Sequence, residues 1–394
     1  MTLTKNPAMK LPQLEGLRGV AALAVFCAHF LLTFNKELIT TIQNTISRQH
    51  SFFASILNDA FDCFIGGQLA VYVFWFMSAY VISIKLFDDN CNQNNRYLHS
   101  ASLKRYFRLA IPVFAVSVFC YLLHANGLML NQQLAAAKKN DWLIQWYNIK
   151  PDFLKMLRIN LLDVFMTGNS SYNMVLWTMK PEFMGSLLCF ASFAIFGKVQ
   201  HRCWWYAMIL MGLAIGGILD TTYHFYFAFV AGLCWADFSN TKSEIAIRSW
   251  LRMLKSPFIS IVVLVITVFI VPPMLNVTSL PAGCATFFRY PLRAIAITWL
   301  ANDIRVIRGF LSLRPMVFLG RISFSVYLIH LPVLFSLGVY CYLHFPANTS
   351  AQWASFFISM ITCTIFLAIV FERIIDRYSI RISNKLAEKL MPDK

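Results

Sequence analysis

The residues to examine for chemistry are the ionisable ones inside otherwise apolar runs: Arg18, His29, Glu182, Arg289, Arg293 and His330. An ionised side chain at the centre of a bilayer costs from about 2.5 kcal/mol upward, so such residues face a partner or a cavity. Arg18 and His29 are eleven residues apart. On a helix this is about three turns, which puts both on one face, about 16 Å apart along the axis. An imidazole beside a carboxylate can take a proton from a hydroxyl as a general base, or carry an acyl group transiently. Glu182 opens a later apolar run and His330 lies in the middle of another. With His29 they make three proton-handling groups expected in the middle-to-outer membrane. The plainer alternatives are an Arg18 that snorkels to the inner surface and histidines that are packed and hydrogen-bonded. Arg289 and Arg293 fall near the outer end of a span, where they either snorkel or line a cavity.

Arg105 and Arg108 stand at i and i+3 beside Lys104, a cationic cluster on one helix face. Arginine can clamp a phosphate with two parallel hydrogen bonds. An anchor to anionic lipid would use the same residues. Ser78 and Ser325 are weaker signals, because small polar residues commonly pack helix interfaces. There is no phosphate-binding G-x-x-x-x-G-K, no H-E-x-x-H, no G-x-S-x-G and no H-x-x-x-x-D in the chain, and those chemistries lose support. Its 10 cysteines lie mostly in apolar runs with no C-x-x-C pair. They are expected to be small buried hydrophobes, and no metal site is expected.

The elements that must position these residues are transmembrane helices. Hydrophobic residues make up 58% of the 394 and charged residues only 13%, where a soluble protein has about a quarter charged. Each crossing needs about 20 mainly apolar residues. The candidate spans are Leu14–Phe34, Gln68–Phe87, Phe107–His124, Pro181–Gly197, Trp204–Leu219, Tyr223–Asp237, Phe258–Val271, Ala285–Ala301, Met316–Leu343 and Trp353–Phe371. The first carries Arg18 and no small-residue cleavage site follows it, so it is expected to be a retained helix.

The net charge of +16 sits mostly in short connections between these spans. That distribution favours cytoplasmic loops over nucleic-acid binding. Lys104, Arg105 and Arg108, Lys198 and Arg202, Arg305 and Arg308, and Arg373 and Arg377 mark alternate connections and the tail, whereas Asp220–Thr222 and His344–Gln352 hold no Lys or Arg. Positive-inside then puts both termini in the cytoplasm. The long segment 125–180 lies outside, with Leu154, Leu157, Leu161 and Phe165 at the spacing of an interfacial amphipathic helix. The expected fold is an all-α polytopic membrane bundle of about ten helices. It forms a single domain over 1–394 with no appended soluble domain.

Four stretches resemble acyltransferase family 3, the integral membrane O-acyltransferases that modify cell-surface glycans. They are Leu14-Glu15-Gly16-Leu17-Arg18-Gly19 followed by His29-Phe30; Lys104-Arg105-Tyr106-Phe107-Arg108; Leu176-Trp177-Thr178-Met179-Lys180-Pro181-Glu182; and Gly320-Arg321-Ile322-Ser323-Phe324-Ser325-Val326-Tyr327-Leu328-Ile329-His330. In order, they span nearly the whole chain.

The resemblance implies an acyl group, usually acetyl, taken from cytoplasmic acyl-CoA and delivered to a hydroxyl of a surface or lipid-linked glycan. It implies Arg105 and Arg108, with Arg18, on the CoA phosphates. His29, Glu182 and His330 would stand where the acyl group moves, and Trp177, Ser325, Tyr327, Arg289 and Arg293 along the substrate path. One departure stands out. Where many members have an Asp in the second helix, this chain has Tyr72, so the acidic partner of His29 would be Glu182, Asp59 or Asp62. The reading is a multi-pass O-acetyltransferase of the inner or plasma membrane using acetyl-CoA, with no metal and no nucleic acid. The competing class is a transporter of a lipid-linked sugar or organic anion, but no internal repeat of the kind common in transporters is found.

Overall fold

The computed structural model describes residues 11–49, 51–65, 67–87, 95–240, 262, 266 and 282–390. The seventh expected span, Phe258–Val271, lies almost wholly outside these, as does the side chain of Asp62. Among the described residues every regular element is helical. The helices are α1 (Pro12–Phe34), α2 (Lys36–Ser47), α3 (Phe52–Ile65), α4 (Gln68–Ile84), α5 (Asn95–Ala125), α6 (Asn131–Lys138), α7 (Asp141–Ile144), α8 (Phe153–Arg158), α9 (Val164–Met166), α10 (Met179–Phe196), α11 (Arg202–Leu219) and α12 (Tyr223–Asn240). After the gap follow α13 (Ala282–Phe287), α14 (Arg293–Asp303), α15 (Arg305–Leu311), α16 (Arg314–Val333), α17 (Val339–His344), α18 (Ser350–Phe371) and α19 (Arg377–Leu390).

Six described stretches are long and apolar enough to cross a membrane: Pro12–Phe34, Tyr97–Ala125, Met174–Phe196, Arg202–Leu219, Arg314–His344 and Ser350–Leu390. Helix α4 is apolar but shorter. Large apolar side chains point outward from α11 and α18, among them Trp204, Met208, Met211, Ile358 and Phe366. A helix that is apolar on its exposed face as well as its packed one has lipid for solvent.

Helix α1 packs most extensively against α16. Its entry is set by Pro12 in the first turn, with Glu15 near the positive end of the dipole. The contact is made by small residues. A Cβ on Gly19 would lie 2.7 Å from the Gly320 amide nitrogen, and one on Gly320 would strike the Glu15 carbonyl oxygen. Close backbone approach through glycine is how membrane helices gain packing without a hydrophobic drive. Helix α4 lies against α12 in the same way, through Ala79 and Gly232.

Segment 125–180 is no loose loop. Helices α6 and α7 fold back onto the bundle, and the turn of 3₁₀ helix Met174–Thr178 is buried at its centre. The expected amphipathic stripe is broken: Phe165 is fully buried, whereas Leu154 is 75% exposed. A wide π turn over Ile159–Asp163 separates α8 from α9, and the extra residue rotates the face that a 3.6-residue period would keep in line.

Candidate active site

His29 on α1 and His330 on α16 meet inside the bundle. His29 Nδ1 and His330 Nε2 are 2.9 Å apart, with ring centroids 5.0 Å apart. His330 is fully buried and His29 partly so. The second nitrogen of His330, Nδ1, lies 3.1 Å from the Val326 carbonyl oxygen. A carbonyl only accepts, so neutral His330 carries its proton on Nδ1 and offers the Nε2 lone pair to His29. His29 therefore donates through Nδ1. Its Nε2 lone pair makes no hydrogen bond among the described residues and is left to act as a base. Three further contacts fix the pair. Thr33 donates to the His29 carbonyl at 2.6 Å. Trp142 stacks on the His29 ring at 5.9 Å. The Tyr327 ring stands 6.0 Å from His330.

No carboxylate hydrogen-bonds His29 among the described residues, contrary to expectation. Glu182 is instead bound by the Arg105 guanidinium, and Ser78 donates to the same carboxylate at 2.6 Å. Asp59 is bound by Arg289 at 2.6 Å and by Arg293. The physical reason is the same in both places: an arginine in a span needs a counter-charge more than a neutral imidazole does. Arg289 and Arg293 thus neither snorkel nor stand alone; Arg293 is fully buried. Tyr72, at the position expected to hold an Asp, is buried and stacks on Tyr290 at 5.6 Å.

The cationic cluster is assembled from α1, which bears Arg18, and α5, which bears Arg105 and Arg108. Arg105 is held by Ser186 at 3.0 Å and Ser78 at 2.6 Å as well as by Glu182. Arg108, one turn further on α5, is exposed to solvent and makes no hydrogen bond among the described residues. It feels the charges of Arg105, Arg18, Asp376 and Glu182. Arg18 touches Glu15 at 3.7 Å. A guanidinium with five unused donors among other cations is a site for an anion, and phosphate suits its fork. Asp376, at the joint of α18 and α19, was not foreseen; it shares that joint with Glu372, which is paired with Arg377 at 2.8 Å. Helix α19 packs on α5 through its buried Ser379, Ser383 and Ala387, which holds that joint in place.

Trp177 sits edge-on to Trp75, with ring centroids 5.8 Å apart, and against Phe225. The Tyr327 hydroxyl bonds Thr178 at 2.9 Å and the Val175 carbonyl at 3.1 Å. Asn173 donates to the Leu328 carbonyl at 2.9 Å, tying the 3₁₀ turn to α16. The Ser325 hydroxyl is buried with no hydrogen-bond partner among the described residues. Trp142 was not singled out in the sequence, because nothing local distinguishes it from an interfacial tryptophan. The described cysteines are free thiols, and among the described residues no three His, Cys, Asp or Glu side chains gather to hold a metal.

A family model described as an acyltransferase domain matches residues 11–373. No curated protein and no solved structure matches the chain. The matched region contains both histidines and Arg18, Arg105 and Arg108, and it covers nearly the whole chain: the chain belongs to acyltransferase family 3.

Proposed function

We propose that this protein moves an acyl group, acetyl in the first instance, from cytoplasmic acyl-CoA to a hydroxyl of a surface or lipid-linked glycan. The reading has it as a multi-pass protein of the inner or plasma membrane, crossing about ten times with both termini inside. The alternation of basic and uncharged connections supports that topology. The observation that carries the chemistry is the 2.9 Å contact of His29 Nδ1 with His330 Nε2, which leaves His29 Nε2 as a base.

In this scheme Arg108 and Arg18 take the CoA phosphates from the inner side, with Arg105 held beside them by Glu182. The thioester arm then extends along α1 toward His29, about 16 Å from Arg18 by helical rise. The acceptor hydroxyl gives its proton to His29 Nε2 as its oxygen attacks the thioester carbonyl carbon. The imidazolium is stabilised by its Nδ1–H···Nε2 bond to His330. The C–S bond breaks and the thiolate takes the proton back from Nε2, leaving the ester and free CoA. A positioned base of this kind contributes about 10²–10⁴-fold.

The test is mass spectrometry of surface glycans from cells with and without the gene, beside acetyl-CoA turnover by the purified protein. A mass gain of one acetyl group that needs both the gene and His29 is expected. Export of an unaltered glycan, with no CoA released, would replace this reading with transport.

A further inference from the structure

A cavity unused by the steps above opens at the C-terminal end of α1. Its volume is about 320 Å³, and its lining includes Thr33, Asn35, Lys36, Glu37, Lys138 and Lys139. Its two walls are the α1–α2 joint and the α6–α7 joint. Asn140, also in the lining, ties them together by donating to the Leu32 carbonyl at 2.9 Å. The Asn140 side-chain oxygen accepts from the Trp142 amide, which starts α7. The same walls lead to His29: Thr33 is one turn beyond it, and Trp142 is the ring stacked on it.

Three ammonium groups face one carboxylate here. Lys138 stands over the Tyr342 ring, 5.6 Å from its centroid, and feels Glu37. Lys36 and Lys139 make no ion pair among the described residues. Lys139 is the left-handed residue that ends α6, with φ 50 and its amide bonded to the Ala135 carbonyl. Positive-inside counts short loops and neither requires nor forbids lysines in the long segment 125–180.

We propose that this cavity seats an anionic group of the acceptor glycan, a carboxylate or a phosphate, beside the hydroxyl that is acylated. The inference rests on the acyltransferase reading for the word acceptor, and on the cavity alone for the charge it selects.

The test uses the full chain in lipid nanodiscs. One pair of probes is a glucuronic-acid tetrasaccharide and its carboxyl-reduced, neutral counterpart; the other is glucose 1-phosphate and glucose. The wild type should bind at least one anionic probe about tenfold more tightly than its neutral counterpart, and less so as salt rises. Which pair shows the preference tells carboxylate from phosphate. The K36Q/K139Q variant should lose the preference, with acetyl-CoA affinity on the same preparation reporting that it is folded. Equal binding of charged and neutral probes, none of either included, overturns the proposal. So does a preference that survives the double substitution. Acetyl transfer is followed separately: a charge preference without any transfer would sink the acyltransferase reading and leave the cavity standing, and transfer to charged and neutral sugars alike would do the reverse.

Discussion

Gly19 and Gly320 bring α1 and α16 so close that a Cβ on the first would stand 2.7 Å from the backbone nitrogen of the second. His29 and His330 each follow their glycine by ten residues, which is about 15 Å of helix. Two parallel helices locked at one level thus meet again at the next. Gly320→Leu should therefore act at a distance. Overpacking of a close contact costs about 1–3 kcal/mol, and forcing the helices apart should break the imidazole contact. The expected result is lower thermal stability together with acyl transfer reduced at least as far as in the His330 variants below. A Gly320→Leu protein of full activity would show that the glycine contact does not set the pair.

His29→Ala should abolish transfer, by about 10²–10⁴-fold, while acetyl-CoA still binds. His330 is a positioning residue, and its substitutions should separate geometry from charge. His330→Gln keeps an acceptor for His29 Nδ1–H and should retain part of kcat. His330→Leu strands that donor and should lose more, with the KM for acetyl-CoA unchanged in both. Equal kcat in the two variants would mean that His330 only fills space. The measurement is steady-state CoA release with acceptor in excess.

Much of this was legible in the sequence, and the failures share one cause. The helical spans follow from apolar runs of the right length. The candidate residues follow from charges placed where charge is costly, as with Arg18, His29 and Glu182. Pairing was not legible. Periodicity fixes which face of α10 bears Glu182, but not that Arg105 on α5 and Ser78 on α4 reach it first. Likewise Asp59 reads as a free acid until Arg289 and Arg293 are brought to it from 230 and 234 residues away. Trp142 owes its place on His29 to the fold-back of α6 and α7 within a segment whose composition suggested an outer loop. The register of α1 against α16 was partly readable, since both motifs carry a glycine ten residues before a histidine.

Trp142 covers His29 from the α7 side, where the acceptor would arrive. Aromatic pairs contribute about 0.5–1.5 kcal/mol beyond their buried area, so Trp142→Ala should lower kcat/KM for the acceptor by about 2- to 10-fold. Trp142→Phe should recover most of it. The KM for acetyl-CoA should not move in either. If the loss fell on acetyl-CoA instead, Trp142 would belong to the donor path.

Arg105 and Glu182 can be separated from Arg108 by a double substitution. Removing one partner of a buried ion pair leaves an uncompensated charge and costs about 3–5 kcal/mol, whereas replacing both with apolar groups of similar size is often neutral. Arg105→Met alone should therefore yield little folded protein. Arg105→Met with Glu182→Met should recover the yield, and acetyl-CoA should still bind through Arg108 and Arg18, though more weakly. Arg108→Gln breaks no hydrogen bond made by the described residues, so it should leave stability unchanged and weaken acetyl-CoA binding directly. Calorimetric binding of acetyl-CoA beside a thermal melt distinguishes these effects. An Arg108→Gln protein that binds acetyl-CoA as the wild type does would assign the unpaired guanidinium to lipid headgroups rather than to the donor.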